Sequence, residues 1–124
     1  MIESWIEAVC ARAGWAVPSK NSSDKYRFRL DGNMIIDASS LDYRTLVLEA
    51  EIAKLPRSNG DEMIKRAATA VLPRIFKDTA TLSLDMANQS LQLHRVVTLG
   101  ALRASEFADV MGNFANELAF YKAL

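Results

Sequence analysis

Hydrophobic residues recur along this chain with two different periods. At the start, Ile2, Trp5, Ile6, Val9, Cys10 and Ala13 fall at i, i+3, i+4, i+7, i+8 and i+11, while Glu3, Glu7 and Arg12 take other faces. The spacing predicts an amphipathic helix. Gly14 ends it, because glycine adopts the left-handed conformation of a helix C-terminus without steric cost, and Pro18 follows where a helix cannot continue. Residues 18–24 are polar and aperiodic and predict a loop.

From Lys25 the period is two. Tyr26, Phe28 and Leu30 alternate with Lys25, Arg27 and Arg29, the pattern of a half-buried strand. Asp31-Gly32 signals a hairpin turn into a second strand from Met34 to about Ser39, with a further turn near Ser40–Asp42. A longer strand runs from Arg44 to about Leu55, with Leu46, Leu48, Ala50 and Ile52 on one face and Val47, Glu49 and Glu51 on the other. Pro56–Gly60 breaks it. Asn59 with Glu62 resembles a capping box, and Met63, Ile64, Ala67, Val71 and Leu72 form the stripe of a second helix that Pro73 ends or kinks. Residues 74–79 fit neither period. Alternation returns at Leu82, Leu84 and Met86; Ala87-Asn88-Gln89 predicts a turn, and Leu91, Leu93 and Val97 a fifth strand. Phe107, Val110, Met111, Phe114, Leu118 and Tyr121 predict a closing helix with Ser105 as its cap. The order α-β-β-β-α-β-β-α, with short links between consecutive strands, predicts an α+β fold: an antiparallel twisted sheet packed with helices in one domain over residues 1–124.

Composition narrows the function. With 124 residues and 13.8 kDa the chain suits one core. Fifteen basic residues balance fifteen acidic ones, and the balance holds segment by segment, which argues against a dedicated nucleic-acid binder. One cysteine, Cys10, excludes an intrachain disulfide and suits a reducing compartment. Glu3 and Glu7 interrupt the first apolar run, which therefore does not read as a signal peptide, and no stretch is long enough to cross a bilayer. A soluble, single-domain protein of a reducing compartment is expected.

Candidate chemistry is sparse. The sole histidine, His94, is out of phase with Leu91 and Leu93 and belongs to the polar side of its strand. Cys10 lies in the apolar stripe of the first helix, the position of a small buried hydrophobe. Glu49 and Glu51 share a strand face and could run acid–base chemistry, but Lys25, Arg27 and Arg29 are laid out at the same spacing, the pattern of ordinary cross-strand ion pairs. The five glycines show no phosphate-loop spacing. No cofactor and no metal is expected. The pattern favours a binding protein over an enzyme; the alternative from another class is a small-ligand or enzymatic domain using Glu49, Glu51 and His94.

Over nearly its full length the layout resembles the class I chaperones of bacterial type III secretion, the Tir chaperone-like family. The resemblance rests on the first helix ending in Ala13-Gly14-Trp15, the Leu30-Asp31-Gly32 hairpin, the stretch from Leu46 to Pro56 that ends in Leu-Pro before a helix, the Leu82-Ser83-Leu84-Asp85 strand and the aromatic closing helix. It implies a cytoplasmic bacterial dimer without ATPase activity that binds the N-terminal segment of a secreted effector and keeps it export-competent, with no nucleic acid and no membrane insertion. For effector contact it points to Trp5, Ile6, Tyr26, Phe28, Met34 and Ile36, and for the dimer interface to Ile64, Ala68, Val71 and Leu82. Such chaperones are typically acidic whereas this chain is neutral, which leaves room for a heterodimeric co-chaperone that pairs with a sibling subunit and serves a secretion gatekeeper or regulator.

Overall fold

In the computed structural model, residues 2–18, 20, 25–30, 34–42, 44–58, 60–74, 77, 79–98 and 103–124 are described, the side chains of 2–5, 13, 41 and 104 excepted. Both predicted periods take the predicted forms. Helix α1 (Ile2–Ala13) is followed by strands β1 (Lys25–Leu30), β2 (Met34–Asp42) and β3 (Thr45–Lys54), helix α2 (Gly60–Val71), strands β4 (Thr81–Asp85) and β5 (Ser90–Thr98), and helix α3 (Ala104–Lys122). Among the described residues the strands form one antiparallel sheet in the order β1-β2-β3-β5-β4. The central pair therefore joins β3 to a strand that follows only after α2 and β4.

Alternation sorts the sheet into two faces. Tyr26, Phe28, Ile36, Ala38, Leu46, Leu48, Ala50, Ile52, Leu91, Leu93 and Val97 are buried against the helices. Phe107, Val110, Met111, Phe114, Leu118 and Tyr121 of α3 meet them, with Ile6, Val9 and Cys10 of α1. Each fully buried large side chain contributes about 1.5–3 kcal/mol relative to exposure. Aromatic contacts link the layers: Trp15 meets Phe28 edge-on at 6.1 Å between centroids, and Phe28 lies 6.5 Å from Phe107. Arg95 breaks the alternation. It pairs in register with Leu48 on the helix side, and its Nη1 is buried without a hydrogen-bond partner among the described residues.

Helix ends follow local chemistry. Gly14 has φ +76°, and the Trp15 amide donates to the Cys10 carbonyl at 2.9 Å, a glycine-terminated C-cap as expected. Pro73 sits in a 3₁₀ turn, Leu72–Arg74, where α2 stops. The Arg74 guanidinium lies 3.8 Å from the centre of the Phe120 ring and pins that turn to α3.

Three local expectations change or fall outside the description. β2 runs past Ser39 to Asp42, with a register irregularity between Ser40 and Asp42. The turn comes later because the Asp42 carboxylate accepts the Arg44 amide at 2.8 Å, an Asx-turn that bends the chain one step beyond the bulge. Ser105 is not the cap of α3: the helix starts at Ala104, and Arg103 is its N-cap without a side-chain cap bond. The Asp31-Gly32 turn and Asn59 lie outside the described residues, although β1 and β2 pair across 31–33 and α2 begins at Gly60.

Candidate functional site

The face of the sheet away from the helices forms an open groove of about 920 Å³, and cross-strand register arranges its chemistry in rows. One row reads Arg27, Asp37, Glu49, His94, Thr81 across the sheet. Arg27 grips Asp37 with two bonds, at 2.9 and 3.1 Å, which raises the guanidinium's affinity for its proton through that hydrogen-bonded charge partner. Lys25 bonds Glu49, and Lys54 reaches Glu51 at 3.0 Å. Of the expected pairs between β1 cations and Glu49 or Glu51, Lys25–Glu49 forms, whereas Arg27 turns to the nearer Asp37 of β2 and Glu51 takes Lys54 of its own strand.

The same face holds the residues of the catalytic alternative. His94 Nδ1 lies 3.1 Å from the Ser83 hydroxyl, and His94 stands opposite Glu49 in register. A serine nucleophile needs a base in turn oriented by a free acid, and amides aimed at the reacting oxygen. Here Glu49, the carboxylate opposite His94 in register, is engaged by Lys25. The arrangement fits a structural polar row. Among the described residues no group of three or more His, Cys, Asp or Glu side chains could hold a metal ion. Cys10 is buried, and burial pushes its thiol up.

The residues expected to contact an effector divide sharply. Ile6, Tyr26, Phe28 and Ile36 are buried between sheet and helices, Met34 is half-buried, and the side chain of Trp5 lies outside the description. The accessible apolar surface beside them belongs instead to Met34, Leu30, Trp15 and Val17, the last 53% exposed.

The expected dimer residues come closer together. Only Ala67 of α2 is fully buried, and Ala70, Val71 and Leu82 pack against the core. Ile64, half-buried, Ala68, exposed, and Leu72, 69% exposed, fall one helical turn apart and form a second apolar stripe. Beside it Ile64 joins Leu55, Leu84 and Met86 around a groove of about 530 Å³. Sequence reasoning missed Leu72, Leu84 and Met86 as surface. Alternation placed Leu84 on the helix side, correctly, but alternation alone does not report that the end of the edge strand is left partly uncovered at 42% exposure.

Comparison with known proteins follows this geometry. The model of the Tir chaperone protein (CesT) family matches residues 17–120. No curated protein sequence matches the chain significantly. Among solved structures, a chain of the HopA1–SchA chaperone–effector complex superposes with a TM-score of 0.76 at 10% identity, covering 99% of this chain and 94% of that one. The Yersinia pestis type III secretion chaperone SycH, in complex with a stable fragment of YscM2, gives 0.68 at 11% identity over 98% and 99%. The heterodimeric ExoU–SpcU complex of the Pseudomonas aeruginosa type III secretion system gives 0.68 at 16% identity over 99% and 96%. At these identities the structural likeness speaks for the fold alone.

Proposed function

The chain belongs to the Tir chaperone protein (CesT) family, and we propose from that premise that it is a cytoplasmic type III secretion chaperone, one domain over 1–124, that binds the N-terminal segment of a secreted effector and keeps it export-competent. The observation that carries the reading is the family match over residues 17–120, on a fold shared with chaperone–effector complexes. No enzymatic step, cofactor, nucleic acid or membrane insertion enters it. Among the described residues no helix is long and apolar enough to cross a membrane.

Physics supports a holding role. An extended client can add a strand to a sheet edge and seat alternate side chains in apolar pockets, so backbone hydrogen bonds supply affinity with little demand on sequence. Ordering the client offsets much of the gross contact energy, which suits a grip that must later be released. Ile6, Tyr26, Phe28 and Ile36 form the buried scaffold of the client-facing end and Met34 is partly exposed there, with Trp5 assigned to the same end from the sequence. Ile64, Ala68, Val71 and Leu82, extended by Leu72, Leu84 and Met86, form the self-association surface, where exposed apolar side chains cluster.

The deciding experiment is capture of the tagged chain from its native lysate with the complex weighed by light scattering. Two copies with one secreted protein, lost when that protein's N-terminal segment is deleted, is the expected result. Its neutral charge favours one variant of the same reading: a sibling small chain in equal amount identifies a heterodimeric co-chaperone. A monomer with no partner overturns both.

A further inference from the structure

β4 covers only part of β5. Its five residues pair with Ser90 to His94, and β5 continues to Thr98 against β3 alone. Among the described residues nothing pairs with the outer side of β5 beyond His94. Val96 is 57% exposed on the open face beside that bare edge. Carried one step past Thr81 and His94, the register sets Ala80 opposite Arg95, and a second step sets Thr79 opposite Val96. Alternation would then turn Thr79 to the open face with Thr81 and Ser83, beside Val96.

The chain does not take that path. The Thr79 amide and hydroxyl and the Ala80 amide donate to the Glu117 carboxylate at 2.9, 3.3 and 3.2 Å, which draws this segment off the sheet toward α3. Two opposite charges are left beside one residue without being joined. Glu117, 7% exposed, bonds to Ala80 from the helix layer. Arg95 lies next to Ala80 in the continued register, on the helix side, and its Nη1 is buried without a hydrogen-bond partner among the described residues. Neither side chain makes an ion pair among those residues. A buried guanidinium nitrogen without an acceptor is costly, and a nearby carboxylate is the group best able to relieve it.

We propose that Thr79–Ala80 is a strap with two positions. In the first, the one described above, Glu117 holds it and the edge of β5 stays open. In the second it lies along β5 as a two-residue extension of β4, Thr79 shields Val96, and the freed Glu117 pairs with Arg95. The bonds nearly balance. Three to Glu117 are given up, a ladder pair supplies two, and Arg95 gains a charge-assisted bond to Glu117. The two positions therefore lie close in free energy. The strap gates the outer edge of β5, an unpaired template in the first position and a capped strand in the second. The inference goes beyond the chaperone reading and does not depend on it.

NMR relaxation dispersion on the intact protein tests this, since an exchange of a few hydrogen bonds without unfolding falls in the microsecond–millisecond range. Thr79, Ala80 and Val96 should exchange at one common rate, with the second position populated at about 1–10%. The fitted backbone shifts of Thr79 in that minor state should be those of a strand. Arg95→Leu removes the partner that receives Glu117 and should lower the minor population at least about tenfold, flattening the profiles. Arg95→Lys keeps the charge and should retain part of the exchange. Flat profiles in the native protein, coil-like minor-state shifts (the mark of simple fraying), or exchange undiminished in Arg95→Leu would overturn the proposal. If Arg95→Leu does not fold, the native profiles and the minor-state shifts decide alone.

Discussion

Two glycines show how position decides the sign of one substitution. A methyl group added at Gly14 or Gly112 meets no atom of the described residues within 4 Å, so packing is silent at both. Gly14 has φ +76°, which alanine adopts only with strain, whereas Gly112 lies inside α3 in ordinary helical conformation. Gly14→Ala should therefore destabilise by about 1 kcal/mol. Gly112→Ala should stabilise by roughly 0.5–1 kcal/mol, because the unfolded chain loses freedom that the helix never used. Urea denaturation of the two variants checks both signs. At the same scale, Asp42 and Asp85 hold turns together. Asp42 accepts the Arg44 amide, and Asp85 accepts the side chain and backbone amide of Asn88 at 2.8 and 3.2 Å. These bonds keep both carboxyls below the ordinary aspartate value of 3.8. Their contribution is present in full above that value and is lost as pH falls through the lower folded-state value. An NMR titration of the two carboxyls should show this depression. Asp42→Asn should keep the turn, since its amide oxygen still accepts the Arg44 proton, and should remove the local pH dependence.

Among the elements, α2 and α3 carry the clearest tests. The outward stripe of α2 makes Ala68→Asp a probe of association rather than of folding, because Ala68 is exposed in the single chain. The variant should fold with unchanged stability at high dilution. The proposed dimer should weaken at least about tenfold, since closure would bury an unpaired carboxylate. Sedimentation at several concentrations distinguishes this from an unchanged mass, which would remove α2 from the interface. Glu117 of α3 is 7% exposed and accepts the Thr79 amide at 2.9 Å, the Thr79 hydroxyl at 3.3 Å and the Ala80 amide at 3.2 Å. It ties the aperiodic approach to β4 onto the last turns of α3. Glu117→Ala leaves those amides without this acceptor and should cost about 2–3 kcal/mol, with Glu117→Gln costing less. Hydrogen exchange should accelerate at Thr79 and Ala80 before it does in the central strands.

Across the whole molecule, the legible part was what periodicity encodes. The stripe from Phe107 to Tyr121 and the alternation from Leu46 to Ile52 name the core because helix and strand geometry leave one face each to bury. Strand ends were less legible: Asp42 sets the turn after β2 through a side-chain bond that no hydropathy pattern records. Arg95 among core positions, and Glu117 within the apolar stripe of α3, depend on neighbours distant in sequence. The surfaces were legible only in part. Tyr26 and Phe28 are apolar for the sake of their own core, and a stripe read from sequence does not tell a core face from a docking face. Ile64 and Ala68 reach the surface because α2 turns Ala67, Ala70 and Val71 inward and leaves its second stripe uncovered.

The strand order also sets a timetable for the protein's own birth. β3 emerges from the ribosome already able to pair with β2, but its other neighbour, β5, is synthesised only after α2 and β4. At about 5–20 residues per second, the inner edge of β3 waits a few seconds for the segment that covers it. During that interval Leu46, Leu48 and Ile52 lack the α3 residues that later bury them, and the strand is bare along one side. A protein that shelters another chain before export thus begins as a chain whose own inner strand waits for cover.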